Sequence, residues 1–405
     1  DGHRRIYAAL IDLSERDEPA DLITITNELR KKDQLDAIGG ASYLASLIDS
    51  VPTAANIEYY ARIVREKAVL RKLIETSTEI ITQSYQDRGD VENFLDEAER
   101  AIFEISERRV RPAFYSIREV VKDSLDTISK LYEKKELITG IPSGFKELDK
   151  MTAGFQPSDL IIVAGRPSMG KTAFCLNVAQ YAAIERKTPI AIFSLEMSKE
   201  QLVIRMLCSQ SQVEGTRLRT GFLHESDWTK LTLAAGTLYE APIFIDDTAA
   251  LSVLELRAKA RRLKADHRLG MLVIDYLQLM KGRARVESRQ QEISEISRSL
   301  KALSKELNIP IIAVSQLSRK TEERQGNRPQ LSDLRESGAI EQDADVILFL
   351  FREEVYNRQE ENQGKAELII GKQRNGPIGK IDLAFIDRFT TFKDLYKGDA
   401  GNFYE

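Results

Sequence analysis

The sequence has few cysteines and histidines, and this scarcity excludes several kinds of site. Only two of its 405 residues are cysteines, Cys175 and Cys208, and only three are histidines, His3, His224 and His267. Cysteines 33 positions apart (175 to 208) provide neither a disulfide framework nor the spacing of metal ligands. Scattered single histidines do not supply the clustered ligands of a zinc site. We therefore expect a reducing compartment and no transition-metal chemistry.

Long apolar runs are also missing. No stretch approaches the roughly 18 apolar residues of a membrane-spanning helix, so we expect no membrane partner. The chain starts with Asp1-Gly2-His3, without an initiator methionine or a signal-like apolar core, and we expect that native residues before it are missing.

With 59 basic and 63 acidic residues, a net charge of −4 and 42% apolar residues, the composition is globular rather than disordered or fibrous. At about 150 residues per domain, the length predicts two or three domains.

Residues 1–110 are predicted to form an all-α N-terminal domain. A stretch from about residue 54 to 86 contains no proline or glycine, and its apolar residues recur at helical spacing with two interruptions, Lys67 and Ser77. The same pattern resumes from Val91 to Ile105, which predicts a second helix folded back on the first. Either the apolar stripe is buried within this helical hairpin, or it also packs on another subunit. The stripe of the first helix is Tyr60, Ile63, Leu70, Ile74 and Ile81.

Residues 111–140 are predicted to be a linker that contains an amphipathic helix. Pro112 breaks the preceding pattern, and Ser116 with Glu119 forms a capping box that starts a helix reaching about Lys134. The apolar face of this helix lies either on the C-terminal domain of the same chain or on that of a neighbouring subunit, which would make it an assembly element. The face consists of Ile117, Val121, Leu125, Ile128 and Tyr132.

Residues 141–405 are predicted to form an α/β domain. Short, continuously apolar runs alternate with helical stretches, which predicts a mostly parallel sheet with helices on both faces. The last two runs follow too closely for a helix between them, and Asn375-Gly376-Pro377 supplies a turn, so we predict an antiparallel pair at the sheet edge. The runs are Leu160–Ala164, Pro189–Leu195, Pro242–Asp246, Met271–Asp275, Ile309–Val314, Val346–Phe351, Ala366–Ile370 and Lys380–Ile386.

The segment after the first run matches the phosphate-binding pattern G-x-x-x-x-G-K-S/T. In this pattern the glycines let backbone N–H groups wrap the phosphates, Lys171 reaches the β- and γ-phosphates, and the Thr172 hydroxyl is available to Mg²⁺. A strand before it and an apolar helix after it provide the context that the motif requires. The pattern therefore predicts binding of a nucleoside triphosphate. Its residues are Gly165, Arg166, Pro167, Ser168, Met169, Gly170, Lys171 and Thr172.

Two carboxylates are predicted to lie at the same edge of the sheet. Asp275 ends one apolar run and Glu196 follows another, and ligands of open α/β sheets bind at the carboxyl ends of strands. We assign Asp275 to Mg²⁺ coordination through water, and Glu196 to orienting or deprotonating the attacking water. Gln316, which follows a third run, either senses the γ-phosphate or caps a turn.

Basic residues are concentrated between Ser252 and Gln290, where ten bases stand against four acids. Such an excess indicates where a polyanion could bind, although most surface charge is only solvated. The bases are Arg257, Lys259, Arg261, Arg262, Lys264, Arg268, Lys281, Arg283, Arg285 and Arg289.

Six short motifs, in this order and at this spacing, resemble those of the DnaB-type replicative DNA helicases. The resemblance covers nearly the whole chain, including the helical hairpin and the linker helix. The family has further helices ahead of a segment that resembles Gly2–Leu13, so the resemblance implies that the first helices are missing here. The motifs are Gly165–Thr172, Ser194–Met197, Val273–Gln278, Val314–Arg319, Asp333–Gly338 and Gly371–Pro377.

This resemblance implies a RecA-like ATPase domain in a ring of six, with each ATP and its Mg²⁺ held between two subunits. Arg374 then matches the finger that reaches the neighbour's γ-phosphate, with Lys372 beside it. From the sequence alone, both would be bases on an edge strand. The resemblance also implies a cytoplasmic protein at the replication fork, with a primase and a helicase loader as partners. It would move 5′ to 3′ along single-stranded DNA and displace the complementary strand.

The resemblance further implies that two basic loops face the DNA. Both loops lack aromatic residues, so we expect contacts to the phosphate backbone rather than base stacking. Alternatively, these bases are only solvated loop residues. The first loop contains Lys281, Arg283, Arg285 and Arg289, and the second contains Arg319, Arg324, Arg328, Arg335, Glu336 and Gly338.

Two other functions are considered beside the helicase. A RecA-like recombination or clock-type ATPase would share the phosphate-binding core, but the helical hairpin and the capped linker helix argue against it. Alternatively, the chain is mainly an assembly scaffold whose N-terminal hairpins recruit a primase or a loader. Strand displacement on a forked duplex tests the first alternative, and ATP hydrolysis with and without single-stranded DNA tests the second.

Overall fold

The computed structural model describes residues 2–50, 56–86, 116–134, 137–282, 288–318 and 326–395. It also describes residues 91, 94, 97, 98, 101, 102, 105, 321, 322 and 324. Side chains are not described for residue 58, for eight residues between 119 and 134, or for residues 335–337. The chain divides into two compact units, residues 1–123 and 124–405. The finer division at residues 110 and 140 stays a prediction.

The first unit is built from helices whose apolar faces meet in a small core. Ile6 and Ala9 of the first helix pack with Leu29 of the second and Leu44 of the third. The Asp21 carboxylate caps the second helix by accepting hydrogen bonds from the first-turn N–H groups. The helices of this unit in the described residues are α1 (Gly2–Glu15), α2 (Leu22–Lys31), α3 (Gly40–Asp49) and α4 (Ile57–Ser84).

Helix α4 confirms the long helix predicted from residue 54 to 86. All five residues of its predicted apolar stripe are exposed, and Ile74 exposes 66% of its surface. The segment at 87–110, predicted to supply the second half of the hairpin, lies largely outside the described residues. Whether the stripe is covered by that segment or by another subunit therefore stays a prediction.

Helix α5 (Ile117–Lys134) confirms the amphipathic helix predicted after Ser116. The five residues of its predicted apolar face are exposed, and whether this face lies on the C-terminal domain of the same chain or on that of a neighbouring subunit stays a prediction. The side chain of Glu119 lies outside the described part of the chain, so the capping box stays a prediction.

The second unit contains a nine-stranded sheet. All eight predicted strands are present. They are β1 (Leu160–Gly165), β2 (Ile190–Ser194), β3 (Ile243–Asp246), β4 (Met271–Asp275), β5 (Ile311–Gln316), β6 (Val346–Phe351), β7 (Lys365–Gln373) and β8 (Gly379–Ile386). With a ninth strand, β9 (Thr391–Asp394), the order is β3-β2-β4-β5-β1-β6-β7-β8-β9. The first six strands of this order are parallel, and β7, β8 and β9 continue it antiparallel.

The predicted position of the antiparallel pair needs one correction. β7 and β8 do pair antiparallel, but β9 (Thr391–Asp394) pairs with β8 and forms the edge. The sequence did not reveal β9 because only its first two residues are buried, and two buried positions are too few for a strand pattern.

Helices cover both faces of the sheet, as predicted. Alternate residues of β1 enter different cores. Ile161 and Val163 pack under α7 (Lys171–Glu185) and α8 (Lys199–Ser211). Leu160 and Ile162 pack under α11 (Val253–His267) and α12 (Arg289–Leu307). Each fully buried aliphatic side chain contributes about 1.5–3 kcal/mol to the free energy of unfolding. The helices are α6 (Lys146–Thr152), α7 (Lys171–Glu185), α8 (Lys199–Ser211), α9 (Gly215–Thr220), α10 (Glu225–Tyr239), α11 (Val253–His267), α12 (Arg289–Leu307) and α13 (Gly338–Asp343).

Among the helices in the described ranges, none is both long and apolar enough to cross a bilayer.

Candidate functional site

The phosphate-binding loop lies at the carboxyl edge of the parallel sheet. It leaves β1 at Gly165 and enters α7 at Lys171, so the first turn of α7 borders a cavity of 710 Å³. Unpaired N–H groups and the positive end of the helix dipole make such a turn a binding site for phosphate. Pro167 and Ser168 border the cavity as well.

The glycine before the lysine of this motif is required by geometry. Gly170 has a φ of +91°, a conformation that side-chain-bearing residues rarely adopt. A Cβ atom there would lie 2.9 Å from the ring of Phe392, which packs beneath the loop. The loop can therefore follow this path only with glycine at this position.

Not every residue of the motif directs its side chain at the cavity. The guanidinium of Arg166 is nearly buried and donates to the carbonyl of Leu317 at 2.8 Å. Met169 is buried, and its sulfur accepts a hydrogen bond from the backbone N–H of Arg352 at 3.3 Å. These two residues can contribute to phosphate binding only through their backbone.

Asp275 and Thr172 form a site that fits a divalent cation. Asp275 ends β4 and is 4% exposed, and the Thr172 hydroxyl forms a hydrogen bond with its carboxylate. The other oxygen, Oδ2, is buried without a hydrogen-bond partner among the described residues. Burial raises the pKa of Asp275, and the nearby Glu196 raises it further. A buried carboxylate oxygen without a partner beside a hydroxyl group is the donor set that Mg²⁺ takes.

Lys171, Glu196 and Arg205 surround the same cavity. Burial lowers the pKa of Lys171, against the opposing effect of Asp275 and Glu196. Its ammonium donates to the carbonyl of Arg166 at 3.0 Å. Glu196 lies on the turn after β2 and borders the cavity.

Gln316 ends β5 at the cavity, and a second glutamine holds it there. Gln278 donates to the hydroxyl of Ser315 at 3.0 Å and to the carbonyl of Gln316 at 3.3 Å. Its side-chain oxygen also accepts from the backbone N–H of Gln316 at 3.3 Å. The Gln316 side chain is exposed, and whether it senses the γ-phosphate or caps a turn stays a prediction.

A second cavity, of 1060 Å³, continues from the phosphate loop toward the antiparallel strands. Ser168, Arg352, Phe385 and Asp387 border both cavities. The Arg352 guanidinium lies 3.8 Å from the centre of the Phe385 ring and donates to the carbonyl of Ser168 at 3.1 Å. The second cavity therefore adjoins the phosphate loop, and its use for the nucleoside part of a triphosphate is a prediction.

Lys372 and Arg374 lie at the end of the sheet opposite the phosphate loop. Gln373 is paired with Val346, the first residue of β6, so Arg374 lies at the amino ends of the parallel strands. A strand of six residues is roughly 20 Å long. Arg374 therefore cannot reach the phosphate loop of its own chain.

Both bases are anchored to the end of α13 and to the two residues that follow it. The Arg374 guanidinium donates to the carbonyl of Gln342 at 2.9 Å and lies 3.3 Å from Oδ1 of Asp345. Lys372 donates to the carbonyl of Ala344 at 2.7 Å. Burial lowers the pKa of Lys372, and the neighbouring Arg374 lowers it further. The arginine remains about half exposed, with its side chain at 48%.

Asp159 titrates in an unusual range at this same end of the sheet. Burial and then the nearby Asp345 raise its pKa to about 6, against the opposing effect of Lys301 and Arg374. In the unfolded chain the carboxyl would titrate near its ordinary value of about 4. The folded state thus binds more protons between about pH 4 and pH 6, and its stability falls as the pH rises through that window.

Replacing Asp159 with asparagine is expected to stabilise the protein at about pH 8 and to have little effect near pH 4. The group is partly exposed, so after discounting for solvent screening we expect a gain of about 1 kcal/mol. Chemical unfolding at both pH values measures this difference. Glu295→Gln, which removes an exposed carboxylate from α12, should not reproduce it. Equal effects at the two pH values would contradict the assignment.

The described bases of the two predicted DNA loops include three that are engaged within the chain. Arg289 forms an ion pair with Glu292 at the start of α12. Arg324 makes a bidentate pair with the buried Asp333, at 2.8 and 3.2 Å. Arg328 pairs with Glu367 at 2.9 Å. Phosphate would have to compete with these carboxylates.

The remaining loop residues are only partly described. Lys281 is exposed beside the start of α11, and Gly338 begins α13. Arg283, Arg285 and Arg319 lie outside the described residues, as do the side chains of Arg335 and Glu336. Their contacts with DNA stay predictions.

Three of the ten bases predicted to attract a polyanion form ion pairs with other elements inside the subunit. Arg257 and Arg261 both pair with Glu306 of α12, and Lys259 pairs with Asp246 at 2.6 Å. These bases hold α11 on the sheet and on α12, which lowers their capacity to bind a polyanion.

The described fold and site together define a class of protein. A mostly parallel sheet presents a phosphate loop, a buried acid beside the loop threonine and a glutamate at one edge. This is the arrangement of a RecA-like P-loop nucleoside triphosphatase.

Comparison with known proteins narrows this class. The family profile of the DnaB-like helicase C terminal domain matches residues 140–394, and that of the DnaB-like helicase N terminal domain matches residues 1–66. The chain belongs to the DnaB-like replicative DNA helicases, and it is an ATP-dependent enzyme of that family.

Three individual relatives are similar to this chain over nearly its whole length, and a fourth is similar to about two thirds of it. The replicative DNA helicase DnaB of Geobacillus stearothermophilus is 55% identical, over 97% of this chain and 87% of its own. The replicative DNA helicase DnaC of Bacillus subtilis is 53% identical, over 98% and 88%. A solved DnaB-like replicative helicase, described with its interactions with primase, matches with a TM-score of 0.75 and 35% identity, over 96% of this chain and 91% of that one. The solved ATPase domain of G40P matches with a TM-score of 0.65 and 40% identity, over 68% and 99%.

Three residues near the nucleotide cavity were not identified from the sequence. Arg205 is an isolated arginine on α8, Gln278 lies after β4, and Arg352 follows β6. Gln278 is the last residue of the motif Val273–Gln278, and Arg352 directly follows a predicted strand, but neither position indicated a role for the side chain. Arg205 gave no signal, because a basic residue on an amphipathic helix is usually solvated.

Proposed function

We propose that this helicase acts as a ring of six copies in which each ATP site is completed by Arg374 of a neighbouring copy. The main support for this proposal is that Arg374 lies at the end of the sheet opposite the phosphate loop of its own chain. A guanidinium that is exposed there and anchored by Asp345 and Gln342 is available to another subunit. An arginine supplied in trans also makes hydrolysis depend on assembly.

Within one site, the residues divide the work of phosphoryl transfer. Lys171 neutralises the β- and γ-phosphates, while Glu196 orients or deprotonates the attacking water. Gln316, held by Gln278, contacts the γ-phosphate and responds to its release. Arg205 adds positive charge to the lining of the same cavity.

Mg²⁺ is the metal that the Asp275 and Thr172 donors fit. When bound, it neutralises charge on the triphosphate. Thr172 would hold it directly and Asp275 through water. Asp275→Asn tests this assignment, because it should weaken Mg²⁺-dependent ATP binding more than Mg²⁺-independent binding.

The N-terminal part of the chain would form a collar that recruits partners. We assign residues 1–110 to this collar, 111–140 to the linker and 141–405 to the motor. The solved relative described with its interactions with primase supports a primase as one partner. A helicase loader is the second partner we expect, and the site of action would be the replication fork in the cytoplasm.

DNA would be held by its phosphates in the channel of the ring. Residues from the two loops, Arg283, Arg285 and Arg289 in one and Arg319, Arg324, Arg328, Arg335, Glu336 and Gly338 in the other, are the proposed contacts. The intramolecular partners of Arg289, Arg324 and Arg328 make Arg335 the first residue to test. Contacts to phosphate alone suit a motor that moves on any sequence.

Replacing Arg335 with alanine is expected to weaken binding of single-stranded DNA and to flatten its salt dependence. The slope of log affinity against log salt concentration should fall by about 1 for each phosphate that is no longer neutralised. Binding titrations at several salt concentrations measure the slope. Arg186→Ala removes an exposed base after the end of α7, outside the basic segment and both loops, and it should leave the slope unchanged. An unaltered slope in Arg335→Ala would count against this assignment.

Strand displacement on a forked duplex tests the proposed function as a whole. We expect ATP-dependent displacement when the loading strand carries a 5′ tail, and none when only a 3′ tail is present. Hydrolysis should rise on addition of single-stranded DNA. Hydrolysis without displacement would favour a recombination-type or clock-type ATPase, and the absence of hydrolysis would favour a scaffold.

A further inference from the structure

The side chain of Arg166 connects the phosphate loop to the chain that follows β5. Its Nη1 donates to the carbonyl of Leu317 at 2.8 Å, directly after Gln316. Its Nε and Nη2 both lie 2.8 Å from Oε1 of Glu322. One guanidinium thus holds two points of the chain that leads from the γ-phosphate side of the cavity to the second DNA loop.

In this ion pair the arginine is buried and the glutamate is partly exposed. The Arg166 side chain is only 10% exposed, whereas that of Glu322 is 44% exposed. A buried guanidinium without a carboxylate would be costly, so the pair fixes Glu322 relative to the phosphate loop. Thr321 beside it is buried, and its hydroxyl donates to the carbonyl of Ser318 at 2.9 Å.

The main chain of Arg166 is connected to the nucleotide-binding lysine. The Lys171 ammonium donates to the Arg166 carbonyl at 3.0 Å. A triphosphate competes for this ammonium because it offers charged oxygens in place of a neutral carbonyl. Arg166 is therefore in contact with both the group that senses phosphate charge and the segment that enters the DNA loop.

We infer that the Arg166–Glu322 ion pair couples the state of the ATP site to the DNA-binding loop of the same subunit. Glu322 is a positioning residue in this role, since its carboxylate contacts Arg166 rather than the nucleotide cavity. The inference rests on the proposed function, because it requires that the proposed contact residues of the second loop, such as Arg324 and Arg335, bind DNA. It goes further by assigning the intramolecular contact through which DNA stimulates hydrolysis and ATP strengthens DNA binding.

Glu322→Gln tests this contact, because it removes the charge but keeps the size of the side chain. Hydrolysis is measured with and without single-stranded DNA, and DNA affinity is measured with and without a non-hydrolysable ATP analogue. We expect basal hydrolysis to stay within about 2-fold of the original protein. Both the DNA stimulation and the effect of the analogue on DNA affinity should fall by roughly 2- to 30-fold, the range expected for a residue that carries coupling.

Two further variants separate coupling from structural support. Glu322→Asp retains the charge on a shorter side chain and should recover part of both ratios. Glu295→Gln removes one exposed carboxylate from α12 and should change neither ratio. A merely structural role would lower basal and stimulated hydrolysis in parallel and leave their ratio intact.

The outcomes distinguish this inference from the proposed function. If DNA stimulates hydrolysis equally in the original protein and in Glu322→Gln, the coupling role is wrong but the proposed helicase function is not contradicted. A parallel fall of basal and stimulated hydrolysis also overturns the coupling role. If the original protein shows no stimulation by DNA, the proposed function itself fails.

Discussion

Replacing Arg374 with alanine is expected to lower ATP turnover by about 10³- to 10⁵-fold while ATP binding and assembly persist. The guanidinium would stabilise charge on the transferred phosphoryl group, which develops only during reaction, so its removal affects turnover more than binding. Steady-state hydrolysis and equilibrium nucleotide binding measure the two effects separately.

Conservative and remote variants sharpen this test. Arg374→Lys keeps a positive charge but loses the planar fork, so turnover should remain strongly reduced. Arg262→Ala removes an exposed base of α11 that does not border the nucleotide cavity, so it should leave turnover unchanged. Near-normal turnover in an assembled Arg374→Ala protein would remove the arginine from the site.

Replacing Glu196 with glutamine is expected to lower turnover by about 10²- to 10⁴-fold, the usual contribution of a general base. The amide cannot accept the proton of the attacking water, although it fits the same space. Removing a negative charge beside Lys171 and Asp275 should leave ATP binding equal or stronger. Single-turnover hydrolysis with preformed complex isolates the chemical step.

Glu200 provides a matched control for Glu196. It lies in the first turn of α8, four residues further on, and its side chain is 66% exposed. Glu200→Gln should turn over ATP normally. If the two variants behave alike, Glu196 has no special role in water activation.

The sequence predicted those parts of the fold that depend on local pattern. The run Leu160–Ala164 followed by a glycine-rich loop allows few structures other than a buried strand that leads into a helix, and β1 and α7 confirm it. β9 escaped prediction because two buried residues do not make a pattern. Its presence is decided by pairing with β8, which depends on how the chain turns between the two strands.

In the candidate site, too, the sequence predicted the residues that follow a local pattern and missed those that tertiary packing places there. The residues assigned from strand ends, Asp275, Glu196 and Gln316, border one cavity. Arg205 borders it as well, but it comes from a helix whose orientation depends on tertiary packing. Nor could the sequence show that Arg324 pairs with Asp333, because charge pairing over nine positions in a loop has no local signature.

Mixing two inactive variants tests the shared ATP site most directly. Lys171→Ala subunits lack a working phosphate loop, and Arg374→Ala subunits lack the finger. In an equal mixture that exchanges subunits, about a quarter of the interfaces combine an intact loop with an intact finger. We predict that this mixture hydrolyses ATP although neither variant does so alone. A mixed assembly that stays inactive, or an isolated single subunit that turns over at the full rate, would contradict the account.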